Sequence, residues 1–87
     1  MNAADLLEFP CRITVKAMGR ADCDLSQTVL AILGEHVGGV ELDTLKTTPS
    51  RTGKYVSISV RVQAEARAQM DAAYQALSEH EHVLMAL

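Results

Sequence analysis

The feature that most constrains this 87-residue sequence is a run of strict alternation between Tyr55 and Val62. The β-branched side chains at positions 56, 58, 60 and 62 point to one face, and Tyr55, Ser57, Ser59 and Arg61 point to the other. A period of two residues is typical of a strand with one buried face. We therefore expect a sheet that is covered on one side.

Two helices are predicted from apolar side chains that recur at helical intervals. The first spans residues 25–37, because Asp24 and Gln27 have the spacing of a capping box and Gly38-Gly39 is a natural stop. The second spans residues 65–79, where many alanines favour helix. The apolar stripes contain Leu25, Val29, Ile32, Leu33 and His36 in the first helix, and Ala66, Met70, Ala73, Tyr74 and Leu77 in the second.

Three further strands complete the pattern. Alternation begins at Cys11 and ends before Gly19, and a second strand is predicted over residues 40–47 with Val40, Leu42 and Thr44 on one face. Turn residues fill positions 47–53, and a short apolar strand is expected over residues 82–87.

The resulting order, βαββαβ, is that of the ferredoxin-like split βαβ arrangement. We expect one α+β domain over residues 1–87, with a four-stranded antiparallel sheet in the order four-one-three-two and two helices on one face. Right-handed crossovers lead us to expect that strands one and three lie at the centre and run parallel. The opposite face is expected to be open and polar but not highly charged, with Arg12, Thr14, Lys16, Tyr55, Ser57, Ser59 and Arg61.

Composition restricts the classes of function. A formal charge of −3 argues against a dedicated nucleic-acid binder, and the chain has only three aromatic residues. Two cysteines are too few for a secreted disulfide framework, so a reducing compartment is favoured. The first residues do not resemble a signal peptide, and no apolar run approaches the ~20 residues that cross a bilayer. We expect a cytoplasmic protein that does not bind membranes and carries no cofactor.

Four segments resemble the YbeD-like family of small uncharacterised bacterial proteins. They are Leu-Leu-Glu-Phe-Pro at 6–10, Lys-Ala-Met-Gly at 16–19, Ser-Arg-Thr-Gly-Lys-Tyr-Val-Ser-Ile-Ser-Val at 50–60 and Val-Leu-Met-Ala-Leu at 83–87. The resemblance implies a domain similar to amino-acid-binding ACT regulatory domains, and the family is sometimes labelled a lipoate regulatory protein. We therefore expect a non-enzymatic regulatory or adaptor module of ACT-like topology that binds a protein partner or a small metabolite. The resemblance supplies no catalytic residues, and this chain departs from the common pattern at Arg51-Thr52 and Lys54.

The hairpin between strands two and three is the predicted binding site. Residues 44–64 contain four basic side chains and no acid, in a chain that is otherwise acidic. Such a segment can bind an anion or an acidic partner, or it can simply solvate the hairpin and protect exposed strand ends. Gly53 is expected to have a positive φ that the turn requires. The candidate binding residues are Lys46, Ser50, Arg51, Gly53, Lys54 and Tyr55.

Two other functions remain open from the sequence. The loop with Cys23 suggests a small-molecule enzyme, although Asp22 and Asp24 would oppose activation of its thiol. The basic hairpin from Lys46 to Arg61 suggests weak binding of nucleic acid. A metal site is not predicted, because adjacent residues in the run from Glu79 to His82 cannot all reach one ion.

Self-association is predicted through strand two, which the topology places at an edge of the sheet. In an antiparallel pair of copies, Lys46 could meet Glu41. We therefore expect a weak homodimer. Residues 6–10 either cover the open end of the core or supply an apolar patch for a partner.

Overall fold

The structure, a computed structural model, describes residues 8–87, and its elements follow the predicted order. The four strands form one sheet in the order β2-β3-β1-β4, in which each neighbouring pair is antiparallel. The predicted ferredoxin-like class and strand order are confirmed. The elements are β1 (Cys11–Arg20), α1 (Leu25–His36), β2 (Gly39–Pro49), β3 (Tyr55–Ala64), α2 (Arg67–Glu79) and β4 (Val83–Ala86).

The expected parallel pairing of the two central strands is wrong. β1 and β3 pair antiparallel over their whole length, from Cys11 opposite Ala64 to Arg20 opposite Tyr55. The crossover through α1 returns the chain so that β2 runs in the same direction as β1. The hairpin then reverses the chain, so β3 opposes both strands between which it lies.

The core lies between the helices and one face of the sheet. Asp24 caps α1 as predicted, because its carboxylate accepts a hydrogen bond from the backbone N–H of Gln27 at 3.2 Å. Phe9 packs against the core, which is one of the two alternatives for residues 6–10, and Leu6 and Leu7 lie outside the described residues. The buried side chains are those of Val15, Ala17, Leu25, Val29, Leu33, Ile58, Val60, Val62, Ala64, Met70, Ala73, Leu77 and Val83.

A wide bulge interrupts the edge strand β2. Glu41 lies opposite Arg61 and Lys46 opposite Ser59, so residues 42–45 of β2 face a single residue of β3. The extra residues break the regular ladder and bend the strand. The outer edge of the sheet is therefore irregular at its middle.

The bulge also reverses the predicted orientation of Leu42 and Leu45, whereas Val40 packs against the core as predicted. Leu42 is 64 % exposed, contrary to expectation, and Leu45 packs against the core instead. The Thr44 hydroxyl holds the bulge, because it donates to the carbonyl oxygen of Glu41 and accepts from the N–H of Arg61 at 2.8 Å. Alternation cannot predict such a reversal, because extra residues shift the period.

Gly53 closes the hairpin between β2 and β3 with a φ of 76°. Its N–H donates to the Ser50 carbonyl oxygen at 3.0 Å, and the Ser50 hydroxyl accepts from the N–H of Tyr55 at 3.1 Å. The predicted positive φ is confirmed. Nothing lies within 4 Å of where a Cβ would stand, so only the backbone conformation favours glycine here.

Replacing Gly53 with valine is expected to lower the free energy of unfolding by about 1–2 kcal/mol, because a β-branched residue is strained at positive φ. Gly53→Asn is the matched control, since asparagine tolerates the left-handed region and should cost less. Urea melts of the parent and the two variants give the comparison. Equal midpoints for the parent and Gly53→Val would contradict this account of the turn.

Candidate functional site

The face of the sheet opposite the helices is open, as expected. Exposed side chains alternate with buried ones along β1 and β3, so the even positions of β1 and the odd positions of β3 share this face. The strand register extends the face to both neighbours. The open face consists of Arg12, Thr14, Lys16, Met18, Arg20, Glu41, Lys46, Thr48, Tyr55, Ser57, Ser59, Arg61, Gln63, Met85 and Leu87.

Basic residues are concentrated on this side of the molecule. The chain has eight lysines and arginines, and α2 carries only Arg67 of them. Two more lie in the hairpin that continues the face, and five lie on the open face itself. The expectation that the face is not highly charged is therefore wrong. The five are Arg12, Lys16, Arg20, Lys46 and Arg61.

Glu41 is the acid that the strand register places on the open face, and Asp43 in the adjoining bulge also acts on Arg12. Arg12 crosses β3 to reach Glu41, and its Nε donates to Glu41 Oε2 at 2.8 Å. This hydrogen bond lowers the pKa of Glu41 and raises the pKa of Arg12. The pair is therefore ionised at neutral pH. Five cations on the face, with Glu41, Asp43 and the Asp22 that pairs with Arg20, leave an excess of two positive charges on and beside it.

A trough about 600 Å³ in volume lies at the centre of the open face. Its floor is formed by the short side chains of Ser57 and Ser59 on β3. Ser59 lies opposite Lys16 on one side and opposite Lys46 on the other. With strands about 4.8 Å apart, the two lysines start about 10 Å from each other, close enough for both ammonium groups to approach one anionic group. Among residues 8–87, neither lysine is engaged in a salt bridge.

One side of the trough is apolar. Met18 lies opposite Ser57 on β3 and opposite Met85 on β4. Leu87 lies on the same face two residues beyond Met85, opposite Lys16, with which its backbone exchanges two hydrogen bonds at 2.7 and 2.9 Å. Met85 is 52 % exposed and Leu87 69 % exposed. We call Met18, Met85 and Leu87 the apolar wall of the trough.

The predicted site residues fall into separate groups. Gly53, Lys54 and Tyr55 line a depression of about 760 Å³ with Arg20, at the hairpin end of the sheet. Lys46 lies apart from them in the central trough. The turn-forming bonds of Ser50 and Gly53 give both residues a structural role, and Arg51 lies exposed in the same turn.

The sequence pattern alone misses part of the face. It predicts Arg20 in the loop after strand one, but Arg20 lies on β1 opposite Tyr55 and pairs with Asp22 at 2.8 Å. It also gives no reason to place Met18 and Met85 on one surface. The available signal is the period of two, which continues through Met18 to Arg20 beyond the predicted end of strand one.

The Cys23 loop and the run of residues 79–82 make hydrogen bonds within the chain. The Cys23 thiol donates to the carbonyl oxygen of Arg20 at 3.2 Å. His80 Nδ1 accepts from the N–H of His82 at 3.1 Å, and the two rings lie 4.9 Å apart. Glu79 accepts a hydrogen bond from Gln75 on the same helix. Within the described part of the chain, no three potential metal ligands come together.

Comparison with known proteins places residues 4–87 in a family model described as "Protein of unknown function (DUF493)". The chain is 37 % identical over 87 residues to a UPF0250 protein of Nitrosomonas europaea, with all of both chains covered. It is 36 % identical to a UPF0250 protein of Neisseria gonorrhoeae, covering 99 % of this chain and 94 % of the relative. A UPF0250 protein of Paraburkholderia phytofirmans is 33 % identical, covering 94 % and 92 %. In the described residues, neither helix has the length and hydropathy needed to cross a membrane.

Proposed function

Because the chain belongs to the DUF493 family of proteins of unknown function, we propose its function from its surface: it is a non-enzymatic adaptor or regulatory module that binds an acidic protein on the open face of its sheet. Family membership confirms the resemblance to small uncharacterised bacterial proteins. The observation that carries the proposal is the separation of charge, with five basic side chains on the open face of an acidic chain.

A protein fits this surface better than a small metabolite does. Small ligands are usually bound in concave pockets that bury most of their surface. Here the basic side chains are spread over β1, β2 and β3, from Arg20 near one end to Arg12 near the other. A broad field of one sign attracts and orients an oppositely charged macromolecular surface.

The family resemblance suggests a pathway for this protein, and its cysteines suggest a cellular compartment. ACT-like topology fits a regulatory partner, and lipoate metabolism is the pathway in which we would first look for one. Cys11 and Cys23 are both free thiols, which fits a reducing cytoplasm.

Cys23 has no catalytic role under the proposed function. Its thiol is used as a hydrogen-bond donor to the Arg20 carbonyl, in a loop beside the open face. The Cys23→Ser variant retains a donor at that position and is therefore expected to bind the partner as the parent does. Loss of function in this variant would favour the alternative, an enzyme that uses the Cys23 loop.

Weak self-association remains a prediction. The bulge at residues 42–45 divides the edge strand β2 into two short regular segments, 39–41 and 46–49, and Glu41 is engaged by Arg12. A dimer through β2 would therefore have to use a short edge. Light scattering over a hundredfold concentration range would detect it.

Affinity capture from a lysate at two ionic strengths tests the proposed function. Tagged protein is incubated with nuclease-treated lysate at about 50 mM and about 300 mM salt, concentrations between which exposed charges become strongly screened. Captured proteins are then purified and measured pairwise. We expect an acidic protein whose affinity falls at least about tenfold between the two conditions.

The controls separate this proposal from its competitors. A captured protein that is basic, or whose affinity is unchanged by salt, would contradict the proposal. Material that is captured only without nuclease treatment would favour the alternative of weak nucleic-acid binding.

A further inference from the structure

We propose that the partner contributes an acidic amphipathic helix, which lies along β3 in the trough of the open face. The inference rests on the proposed function and specifies the part of the partner that makes contact. Such a helix would contact both the two lysines and the apolar wall of the trough at the same time.

The charge of the trough selects acidic side chains on the partner. Lys16 and Lys46 flank Ser59 from both sides, and in residues 8–87 neither has a carboxylate in salt-bridge distance. The hydroxyls of Ser57, Ser59 and Thr48 lie between or beside them and can donate to carboxylate oxygens. A carboxylate-bearing segment therefore has both charge and hydrogen-bond partners here.

The apolar wall requires the same segment to carry apolar side chains on one side. Met85 and Leu87 are more than half exposed and line the trough together with the lysines. Methionine side chains adapt to differently shaped partners, so such surfaces suit apolar helix faces. A purely acidic segment would leave this wall exposed to water.

The spacing of the rows matches a helix. Across the strands, Met18 lies in one row with Met85, and Lys16 lies in the next row with Leu87. The two rows are about 6.8 Å apart, because successive residues on one face of a strand are separated by that distance. Side chains at i and i+4 of a helix are about 6 Å apart along its axis. A helix parallel to β3 can therefore place one apolar side chain beside Met85 and the next beside Leu87. Its acidic side then faces Lys46 on β2. Such a helix would add a third layer to the present two, one of sheet and one of helices.

The methionines allow a direct test with methyl-labelled protein. Two synthetic peptides of about 14 residues have identical composition, rich in glutamate and leucine. In one, the leucines recur at helical intervals and the glutamates occupy the other side; in the other, the order is scrambled. The ¹³C-methyl signals of methionine are followed by NMR during titration. Met70 is buried on α2 and serves as the internal control.

We expect the patterned peptide to bind at least about fivefold more tightly than the scrambled one, since only it can place leucines against the apolar wall. The Met18 and Met85 signals should shift while Met70 does not. Met85→Ser should weaken binding without changing its salt dependence, and Lys46→Gln should weaken binding and reduce that dependence.

The possible failures are distinguishable. If both peptides bind equally and the Met18 and Met85 signals stay in place, the helix inference is overturned and the proposed acidic partner is retained. If neither peptide binds, both the inference and the proposed function are contradicted.

Discussion

Replacing Gly19 with alanine is expected to lower the free energy of unfolding by roughly 2–4 kcal/mol, because the new methyl group has no space. A Cβ at this buried position would lie 2.2 Å from the backbone oxygen of His82 and 3.0 Å from both terminal carbons of Leu25. A carbonyl of the neighbouring chain segment cannot rotate away as a flexible side chain can. The start of β4 would have to move away from β1.

Gly34→Ala is the matched control for this prediction. Gly34 is exposed on α1, and nothing lies within 4 Å of where its Cβ would stand. Alanine favours helix over glycine, so this variant should be neutral or more stable by about 0.5–1 kcal/mol. Urea denaturation of both variants provides the comparison. A midpoint for Gly19→Ala equal to that of the parent would show that the backbone at His82 yields without cost.

The close approach at Gly19 also matters for the proposed site. Gly19 lies opposite Val83, at a shift in register between β1 and β4. The residues that follow Val83 include Met85 and Leu87 of the apolar wall. Displacement of β4 is therefore expected to disturb partner binding together with stability, whereas Gly53→Val should affect stability alone.

Reversing both lysines of the trough, Lys16→Glu with Lys46→Glu, is expected to weaken binding of poly-L-glutamate by on the order of 100-fold. The substitution replaces two attractions with two repulsions at the centre of the open face. Both lysines are exposed, so the fold should tolerate the change. Affinity is measured by calorimetry at one fixed, low ionic strength.

The pair Arg51→Glu with Lys54→Glu is the matched control, since it changes the net charge of the chain by the same amount. These residues lie in the hairpin turn, beyond the end of the central trough. We expect an affinity loss of less than about tenfold, from the weaker long-range field. A loss equal to or greater than that of the lysine pair would identify the hairpin end, as predicted from the sequence, as the binding surface.

The fold was predictable because its main signals are local and regular. The alternation in β3, the Asp24 cap and the apolar stripe of α1 each depend on residues close together in the chain. The orientation of Leu42 and Leu45 was not predictable in this way. It depends on the bulge, which is held by the hydroxyl of Thr44 on the backbone of Arg61, 17 residues away.

The candidate site was only partly predictable, since it is assembled across strands. The positive local charge of residues 44–64 singled out Lys46, but Lys16 joins it only through the register of β1 and β3. The net charge of −3 hid the basic face, because acidic residues occur mainly on other parts of the molecule. An overall charge carries no information about how the charge is distributed over the surface.

The most direct test of the central claim is an amide chemical-shift map of uniformly labelled protein titrated with poly-L-glutamate. If the open face is the binding surface, the largest perturbations fall on the strand segments around Lys16, Ser59, Lys46 and Met85, while the exposed amides of α1 and α2 stay in place. Perturbations concentrated in the two helices, with the strand signals unchanged, would contradict the account.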